Sequence, residues 1–545
     1  MAVQVEDWVK YFPFSDPRAE QVTAINFALD SYTAGKRHVV LSCGTGVGKS
    51  AIGVTIARWL DANMPEEVGS GYAHGAYFLT TQKILQEQYI RDFSQTMRQV
   101  MSSANYTCKF HKSKGQSCAE GQRMLKVITD KSSPFFRSCA YNCVYKEEKR
   151  KFLEAHESIT NFSYFMAETN YSGKLVPRSL LVVDEAHNAD LELSKFVEII
   201  ISEKFATQVL KLDFPKTSTQ KQAYKWISDV YEPKIKSHVN HSKKMIEQLG
   251  LGDRIKNDFI QVSRQFEMLD KHLSKLHQFM EIYDEENWIF NPIDALGQAM
   301  RKFEFKPVDI SAYSEGMLFR NGRRSLMMSA TILNYEAHKE MLGLKEEETA
   351  FLEIPSPFPS KNRPIFQFPI GNMSQGEIDR TLPKLVEAIK GILENHPNEK
   401  GIIHAHSYRI ANYIKKNLRS KRILTHDTDN RDDILKKHLK SKEPTVLLSP
   451  SMSEGVDLRD DASRFQVICK VPYPYLGDKL VTKRMHKWKW WYPLQTAKVI
   501  VQSVGRSIRS ETDHAVTYIL DSNWGYFYSK HKDNFPKDFH ECLTR

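Results

Sequence analysis

A glycine-rich segment is the part of this sequence best suited to bind phosphates. Residues 41–50 read Leu-Ser-Cys-Gly-Thr-Gly-Val-Gly-Lys-Ser, between an apolar run at 38–41 and a helical pattern at 51–60. Such a loop presents backbone N–H groups and a helix N-terminus to phosphates. We expect the backbone of Gly44, Thr45, Gly46, Val47 and Gly48 to cradle them. Lys49 then reaches the β- and γ-phosphates, and Ser50 binds Mg²⁺.

Two carboxylates follow a second apolar run, where residues 180–187 read Leu-Leu-Val-Val-Asp-Glu-Ala-His, a DEAH box. The run predicts a buried strand that ends at the carboxylates. Asp184 is then placed to hold the Mg²⁺, and Glu185 to orient the water that attacks the γ-phosphate. Together with Lys49, these residues predict a nucleoside triphosphatase.

The glycine-rich match is imperfect, because the strict phosphate-loop pattern has a glycine where this chain has Cys43. The alternating Gly44, Gly46 and Gly48 compensate for it. The alternative is an ordinary glycine turn, but no turn requires the charge of Lys49 or the hydroxyl after it. Asp184 and Glu185 alone would fit a solvated strand end equally well.

The composition predicts a large soluble protein of two main domains with insertions. The chain has 545 residues, of which 41% are hydrophobic and 26% are charged. This length is greater than a single hydrophobic core accommodates. No apolar run approaches the ~18 residues of a membrane helix, and Glu6 and Asp7 disfavour a signal peptide. We therefore expect no membrane partner and a cytoplasmic, nucleoid-associated location. The net charge of +11 favours a polyanionic partner.

Alternating strand and helix patterns predict parallel α/β sheets interrupted by insertions. A Cys-, Lys- and Ser-rich stretch interrupts the first pattern, and a region rich in Lys, Glu, Gln and Leu follows the carboxylates. A stiff segment with prolines at 355, 357 and 359 separates the two domains. The predicted parts are a first domain at 1–100, 151–190 and 301–350, a Cys-rich insertion at 101–150, a helical insertion at 191–300 and a second domain at 351–545.

Three later motifs fit two sheets that share one nucleotide. These are Ser-Ala-Thr-Ile at 329–332, Ser-Glu-Gly-Val-Asp-Leu at 453–458 and Gln-Ser-Val-Gly-Arg-Ser-Ile-Arg at 502–509. On a helix, Arg506 and Arg509 would share one face. From the second domain they could face Lys49 and neutralise transition-state charge, as arginine fingers do. The alternative is a solvated helix face.

The order of these motifs resembles that of the iron–sulfur helicases of superfamily 2, the XPD/DinG group. The resemblance covers nearly the whole chain and includes Arg18 and Gln21, the loop at 44–50, and the segments at 80–85, 184–187, 306–309, 329–331, 356–358, 455–457 and 502–509. It implies an α/β fold of two RecA-like parallel-sheet motor domains, the first with a Cys-rich metal insertion and an arch-like helical insertion.

The resemblance also implies roles for individual residues. Gln502, Arg506 and Arg509 approach the γ-phosphate, and His187 couples hydrolysis to domain movement. Arg18, Gln21, Gly455 and Asp457 belong to the nucleotide site. The chain departs from the family's pattern at Cys43 and at Asp-His-Ala, 513–515, where members commonly have a glycine.

Four of the seven cysteines cluster and could hold a metal. Cys108, Cys118, Cys139 and Cys143 have nine, twenty and three residues between them, which suits thiolate ligation without choosing between zinc and a cluster. Composition alone favours zinc. The family carries a [4Fe–4S] domain at this position, so the resemblance favours a cluster. Zinc and a metal-free insertion with buried thiols are the alternatives.

Basic and aromatic residues surround the cysteines: Lys109, Phe110, His111, Lys112, Lys114, Tyr141, Tyr145, Lys146, Lys149, Arg150 and Lys151. The combination suits a groove for single-stranded nucleic acid and a wedge at a duplex junction. A solvated basic surface is the alternative. A second stretch, Trp-Lys-Trp-Trp-Tyr at 488–492, favours core packing at a helix start over nucleic-acid contact.

The predicted function is an ATP-dependent DNA helicase, driven by Mg-ATP, that acts on single-stranded DNA and DNA junctions as a monomer. The resemblance implies 5′-to-3′ translocation and work in DNA metabolism such as repair, and the compact length suggests a phage or plasmid protein. One alternative is an RNA-directed or protein-stripping ATPase. Another is a metal-dependent nucleic-acid-binding protein with an inactive motor, which the complete set of charged site residues disfavours.

Overall fold

The computed structural model describes residues 5–67, 69–109, 117–125, 131–172, 175–249, 257–295, 300–427, 430–452, 458, 460–508 and 510–544. Over these residues the strands are β1 (His38–Cys43), β2 (Ala73–Thr80), β3 (Met97–Gln99), β4 (Glu157–Asn161), β5 (Arg178–Asp184), β6 (Ile199–Ser202), β7 (Trp288–Ile293), β8 (Lys302–Pro307), β9 (Gly322–Ser329), β10 (Thr349–Ile354), β11 (Ile365–Gly371), β12 (Gly401–His404), β13 (Ile423–Thr425), β14 (Val446–Ser449), β15 (Phe465–Ile468), β16 (Val516–Asp521) and β17 (Leu543–Thr544).

The α-helices of the described residues are α1 (Val5–Val9), α2 (Ala19–Thr33), α3 (Lys49–Asn63), α4 (Lys83–Phe93), α5 (Cys118–Leu125), α6 (Pro134–Tyr141), α7 (Val144–Glu154), α8 (Phe162–Ala167), α9 (Ala189–Val197), α10 (Gln220–Trp226), α11 (Glu232–Leu249), α12 (Asn257–Ile282), α13 (Ser311–Met317), α14 (Tyr335–Leu342), α15 (Ile378–Asn395), α16 (Tyr408–Asn417), α17 (Arg431–Lys440), α18 (Lys479–Lys487), α19 (Trp491–Val504), α20 (Asn523–His531) and α21 (Lys537–His540). None of them is long and apolar enough to cross a bilayer.

Two parallel sheets organise the described chain, as the alternating patterns predict. The first has seven strands in the order β10-β1-β9-β5-β2-β4-β3, and the second has seven in the order β13-β14-β12-β15-β16-β11-β17. Strands β1 and β5 are buried along their whole length, so they read as continuous apolar runs with helices on both faces. The chain passes from the first sheet to the second between β10 and β11.

The central strands of the first sheet bring the chemical motifs to one edge. β9 pairs in parallel with β1 on one side and with β5 on the other. The segments that leave the carboxyl ends of these strands are the glycine-rich loop, the Asp184–Glu185 pair and the segment after Ser329. Ligands of open α/β sheets bind at this edge, so the strand order itself assembles the site.

The two predicted insertions leave the first sheet at different places. The cysteine segment lies between β3 and β4, neighbours at one edge of the sheet. The second region carries α10, α11 and α12 together with an antiparallel sheet in the order β6-β8-β7. Its apolar residues Leu276, Phe279 and Trp288 share one core with Tyr77 and Leu181 of the first sheet. It is therefore packed onto the first domain.

The second domain contacts the first through α18. Arg484 is buried and donates from Nε to the Val308 carbonyl at 2.9 Å. Lys487 reaches Asp309 at 2.6 Å, and the Trp488 indole donates to Glu340 at 2.7 Å. The contacts hold the second sheet beside the edge where the motifs meet.

Candidate nucleotide site

The glycine-rich loop adopts the predicted cradle between β1 and α3. Gly48 is the N-cap residue of α3 with φ of 86°, a left-handed conformation that suits glycine. Lys49 begins the helix, and both it and Ser50 line the cavity that the loop borders. The side chain of Val47 is buried in the core, so this residue can face a ligand only through its backbone.

Residues outside the loop hold its backbone in place. The Arg18 guanidinium donates to the Gly46 carbonyl at 2.5 Å, and the Gln21 amide donates to the Gly48 carbonyl at 3.4 Å. From the segment after β10, the Ser356 hydroxyl donates to the Thr45 carbonyl at 2.7 Å. Arg18 also lines the cavity, whereas Gln21 is buried behind the loop.

The loop is too tightly covered for a side chain at its tip. A Cβ on Gly46 would lie 2.1 Å from the ring of Phe358, and a Cβ on Gly44 would lie 2.3 Å from the Ser356 nitrogen. Both glycines are therefore required by close approach. The Ser-Pro-Phe segment at 356–358 covers the glycine-rich loop.

The two carboxylates lie opposite Lys49, in different environments. Asp184 is buried, and it accepts hydrogen bonds from the Glu185 backbone N–H at 2.9 Å and from the Tyr89 hydroxyl at 3.0 Å. Glu185 Oε1 lies 3.8 Å from Lys49 Nζ. Glu185 has φ of 54°, which is rare for a residue with a side chain and typical of functional sites.

Burial and neighbouring charges move the two carboxyl pKa values in opposite directions. Burial raises the pKa of Asp184, although the Lys49 ammonium opposes it. Burial would also raise the pKa of Glu185, but Lys49, a hydrogen bond from His187 and the charge of Arg506 hold that pKa below its usual value. Glu185 is thus kept ionised beside the phosphate cradle. The carboxylate of Asp184 and the hydroxyl of Ser50, which line the same cavity, are oxygen donors of the kind that Mg²⁺ prefers.

His187 joins the carboxylates to both domains. Its Nδ1 lies 2.6 Å from the Ser329 hydroxyl and 3.2 Å from Glu185 Oε2. Its Nε2 shares a hydrogen bond of 2.7 Å with the Gln502 amide of the second domain. Lys498, one turn before Gln502 on α19, donates to the His187 carbonyl at 2.5 Å. α19 therefore contacts the segment that carries Glu185 through two of its side chains.

The site is a cleft between the domains. Its cavity of about 490 Å³ is lined by the loop and carboxylates on one side and by Gln502, Gly505 and Arg506 on the other. A Cβ on Gly505 would lie 3.6 Å from the Thr45 hydroxyl, so the second domain reaches the cradle itself. The volume is within the range of ligand pockets.

The arginine motif differs from the helix that the spacing predicts. α19 ends at Val504 with Gly505 as its C-cap residue, so Arg506 lies in the turn after the helix. A glycine at this position ends helices readily, and this was a signal in the sequence. Arg506 does line the cavity. Arg509, Gly455 and Asp457 lie outside the described residues.

Two residues that contact the predicted site residues could not themselves be predicted from the sequence. Tyr89 faces Asp184 from α4, and Lys498 faces His187 from α19. Each belongs to an amphipathic helix in which an aromatic or a lysine is ordinary. The i, i+4 spacing from Lys498 to Gln502 was a signal that both share one helix face.

The structure brings the four clustered cysteines together. They line one small cavity of about 10 Å³ with Gly121, and a Cβ on Gly121 would lie 3.2 Å from Cys139 Sγ and 3.5 Å from Cys108 Sγ. The bridge between Thr107 and Ser117 sets Cys108 beside Cys118, and Cys143 is the N-cap residue of α7. No group of three or more His, Cys, Asp or Glu side chains within the described ranges is arranged as metal ligands are.

Two of the four thiols have shifted pKa values. Burial and the neighbouring thiols raise the pKa of Cys118 to about 11 and that of Cys139 to about 12. Four thiols and a glycine around one cavity still match the donor set of a tetrathiolate site. Cys43, Cys469 and Cys542 are buried elsewhere in the fold, in agreement with packing roles.

The surface near the cysteines is less available to a polyanion than its composition suggests. Lys149 is paired with Glu168 at 2.7 Å, and Arg150 with Glu154 at 2.6 Å. Tyr145 hydrogen-bonds Tyr164 at 3.0 Å. Tyr141 is 79% exposed and free to stack. Phe110, His111, Lys112 and Lys114 lie outside the part of the chain that is described.

The tryptophan-rich stretch is a packing element, as its sequence favours. Trp488 and Trp491 are buried and form a cluster with Met341 of the first domain. Arg484 lies over the Trp491 ring, 5.8 Å from its centroid. The stretch thus helps to join the two domains.

Two sequence families match this chain, one in each domain. The family described as "Type III restriction enzyme, res subunit" matches residues 14–217, and the family described as "Helicase C-terminal domain" matches residues 389–542. The first match contains the glycine-rich loop and the carboxylates, and the second contains Gln502 and Arg506.

Curated relatives point to the same group. A protein of Methanocaldococcus jannaschii named "Probable ATP-dependent helicase" is 25% identical over 40% of this chain and 37% of its own length. The "ATP-dependent DNA helicase DinG" of Photobacterium profundum is 24% identical over 53% of this chain and 47% of its own length. The chain thus spans less than half of the length of these relatives.

Solved structures agree on the fold over nearly the whole chain. A structure titled "XPD_Helicase" superposes with a TM-score of 0.63 at 14% identity, over 96% of this chain and 99% of the other. The "Structure of S. tokodaii Xpd4" superposes with a TM-score of 0.58 at 14% identity, over 97% and 100%. At this identity the likeness concerns the fold: two RecA-like parallel-sheet domains with a cleft between them.

Proposed function

We propose a function on the premise that this chain belongs with the XPD/DinG-like helicases of superfamily 2, to which its motifs, matched families and fold assign it. The function is that of an ATP-dependent DNA helicase, which moves along single-stranded DNA and separates duplex at junctions. The observation that carries the proposal is the cleft in which Lys49 and Glu185 of one domain meet Gln502 and Arg506 of the other. A nucleotide bound there would contact both domains at once.

The residues of the cleft divide the reaction between them. The loop backbone and Lys49 bind the phosphates, while Ser50 and Asp184 would hold Mg²⁺, which would neutralise phosphate charge when bound. Glu185, kept ionised by its neighbours, orients the attacking water. Arg506, with Arg509, stabilises the charge that develops on the γ-phosphate.

Hydrolysis is coupled to movement through His187. Its contacts with Glu185, Ser329 and Gln502 join the water-positioning carboxylate to α19 of the second domain. Loss of the γ-phosphate removes the ligand that draws Arg506 toward Lys49. The domains can then separate, and each cycle advances the strand held across the two sheets.

We further propose that Cys108, Cys118, Cys139 and Cys143 hold a [4Fe–4S] cluster, with zinc as the alternative metal. Bound metal would take up the four thiolates and cross-link the segments around Gly121. The cysteine insertion then serves as a rigid wedge at the duplex junction, and α10–α12 form the arch-like insertion, whose α12 contacts α5 of the cysteine segment. The exposed ring of Tyr141 supplies a surface for a base to stack on.

The direction of movement and the kind of strand come from the family resemblance. We propose translocation from 5′ to 3′ on DNA by a monomer. The alternative substrate is RNA, because single-strand binding reads mainly backbone charge and base stacking.

Strand displacement tests the proposal. Partial duplexes are prepared with a 5′ or a 3′ single-stranded extension, each as DNA or RNA, and the displaced strand is measured with and without ATP. ATP-dependent displacement from the 5′-extended DNA substrate supports the proposal. Displacement only from RNA would indicate an RNA-directed ATPase. ATP hydrolysis without strand displacement would favour a translocase that strips proteins from the strand.

A further inference from the structure

The Tyr89 hydroxyl is placed against the carboxylate that the proposed reaction assigns to Mg²⁺. Tyr89 lies on α4, and its hydroxyl donates to Asp184 Oδ2 at 3.0 Å. The side chain is 2% exposed. Its ring packs against Phe78 and Phe93, with centroids 5.8 Å and 5.9 Å away. The position of the hydroxyl is therefore set by core packing.

Both oxygens of Asp184 are held by donors from different elements. Oδ1 accepts from the Glu185 backbone N–H at 2.9 Å, at the end of β5, while Oδ2 accepts from Tyr89 on α4. Two donors in separate elements fix the plane of the carboxylate. Hydrogen bonds to an ionised acceptor are stronger than those between neutral groups.

The Tyr89 hydroxyl has no evident structural role apart from its hydrogen bond to Asp184. Ring packing needs only the hydrocarbon part of the side chain, which phenylalanine would supply equally well. The oxygen is buried next to a carboxylate rather than next to a backbone carbonyl. α4 borders the cavity through Leu85, Gln88 and Tyr89 itself, so the helix is a wall of the nucleotide site.

We propose that Tyr89 is a positioning residue for the metal: its hydroxyl holds Asp184 in the orientation that receives the Mg²⁺ of the Mg–nucleotide complex. The inference rests on the proposed function, because it needs Asp184 to hold that metal. Partners that orient a metal ligand typically contribute 10–100-fold to metal affinity. In this proposal the effect of Tyr89 on the metal passes through Asp184, which accepts its hydrogen bond.

Tyr89→Phe removes the hydroxyl and keeps the ring. Tyr32→Phe is a matched control, because Tyr32 is also 2% exposed, packs in the same core and donates to a backbone carbonyl, that of Ser325, at 2.8 Å. Ser325 lies four residues before the carboxyl end of β9, about 13 Å along the strand from the cleft edge. Both variants lose one buried hydrogen bond, but only the first loses it at Asp184.

Metal binding is measured directly with Mn²⁺ in the presence of ADP, by the loss of the free-ion electron paramagnetic resonance signal. The Mg²⁺ concentration for half-maximal ATP hydrolysis is measured in parallel. Tyr89→Phe is expected to weaken Mn²⁺ binding about tenfold and to raise the Mg²⁺ requirement by a similar factor. Tyr32→Phe is expected to leave both unchanged while lowering the thermal unfolding midpoint to a comparable extent.

A third variant separates the loss of the hydroxyl from other effects of changing residue 89. Replacement of Tyr89 by 3-fluorotyrosine retains the hydroxyl and is expected to bind Mn²⁺ as the parent protein does. Equal Mn²⁺ binding by Tyr89→Phe and the parent would overturn the inference, as would an equal loss in Tyr89→Phe and Tyr32→Phe. A parent protein that neither binds Mn²⁺ with ADP nor hydrolyses ATP would instead overturn the proposed function, and the inference with it.

Discussion

The nucleotide cleft lies between the two domains and the cysteine cavity lies within the first, and their polar groups are organised differently. In the cleft, charged groups face partners of the protein itself: Lys49 lies opposite Glu185, Tyr89 donates to Asp184, and His187 contacts Ser329 and Gln502. In the cysteine cavity, buried thiols face one another, and burial raises the pKa of Cys118 and Cys139.

The two sites differ because the ligands that we propose for them differ: nucleotide phosphates in the cleft and a metal at the thiols. A phosphate site uses backbone N–H groups and fixed charges, which the fold can arrange before the nucleotide arrives. A thiolate site needs its thiols deprotonated, and the bound metal itself makes that favourable. The protein alone arranges the charged groups of the cleft, whereas the proposed metal would be needed to deprotonate the thiols of the cysteine segment. A substitution that disables one site should therefore leave the other site intact.

The largest expected effect is in the cleft itself. Glu185→Gln keeps the size of the side chain and removes the charge that orients the attacking water, so ATP cleavage should fall about a thousandfold while ATP binding persists. Single-turnover hydrolysis and fluorescent-nucleotide binding measure the two quantities. Glu192→Gln, on α9 and paired with Lys195, serves as the control. Normal hydrolysis by Glu185→Gln would mean that another group orients the attacking water.

Cys139→Ser tests the other side of the comparison. The variant should lose bound metal and duplex separation, while its ATP hydrolysis on single-stranded DNA stays within about threefold of the parent, because the cleft needs no metal at the thiols. Metal content, strand displacement and ATP hydrolysis are measured on one preparation. Cys469→Ala, a buried thiol in the core of the second domain, is the control. Full-rate unwinding by Cys139→Ser would remove the wedge role.

A smaller effect is expected where the two domains meet. Gln502→Ala removes one hydrogen bond to His187, so ATP hydrolysis should fall about tenfold with nucleotide affinity nearly unchanged. The change should be the same whether or not metal is bound at the cysteines. Gln466→Ala is the comparison variant, because Gln466 is also a buried amide of the second domain but bonds Val504 and Thr517 within that domain. Equal losses in both variants would mean that the contact with His187 is only structural.

Much of the fold could be predicted because its strands are buried on both faces. The runs at 38–41, 179–183, 401–405 and 465–471 predict strands that the structure places at β1, β5, β12 and β15. Long-range pairing could not be predicted in the same way. Nothing local shows that β10, after the second insertion, pairs with β1, or that the two-residue strand β17 extends the second sheet beside β11.

The parts of the site that consist of consecutive residues in the sequence could be predicted. The glycine-rich loop, Asp184 and Glu185 carry their own signatures, so their meeting at one sheet edge follows from parallel strands. Tyr89 and Lys498 carry none, since each reaches the site from one face of an ordinary amphipathic helix. The turn at Arg506 was predictable in principle from Gly505, but the three-residue spacing of the arginines favoured a helix.

The most direct test of the account is ATP hydrolysis by the parent protein and by Lys49→Ala, each with and without single-stranded DNA, with Lys36→Ala as a surface-lysine control. We expect the parent to hydrolyse ATP with stimulation by single-stranded DNA, and Lys49→Ala to hydrolyse it about a thousandfold more slowly with DNA binding retained. Hydrolysis by Lys49→Ala at the parent's rate, or a parent that hydrolyses no ATP with DNA present, would contradict it.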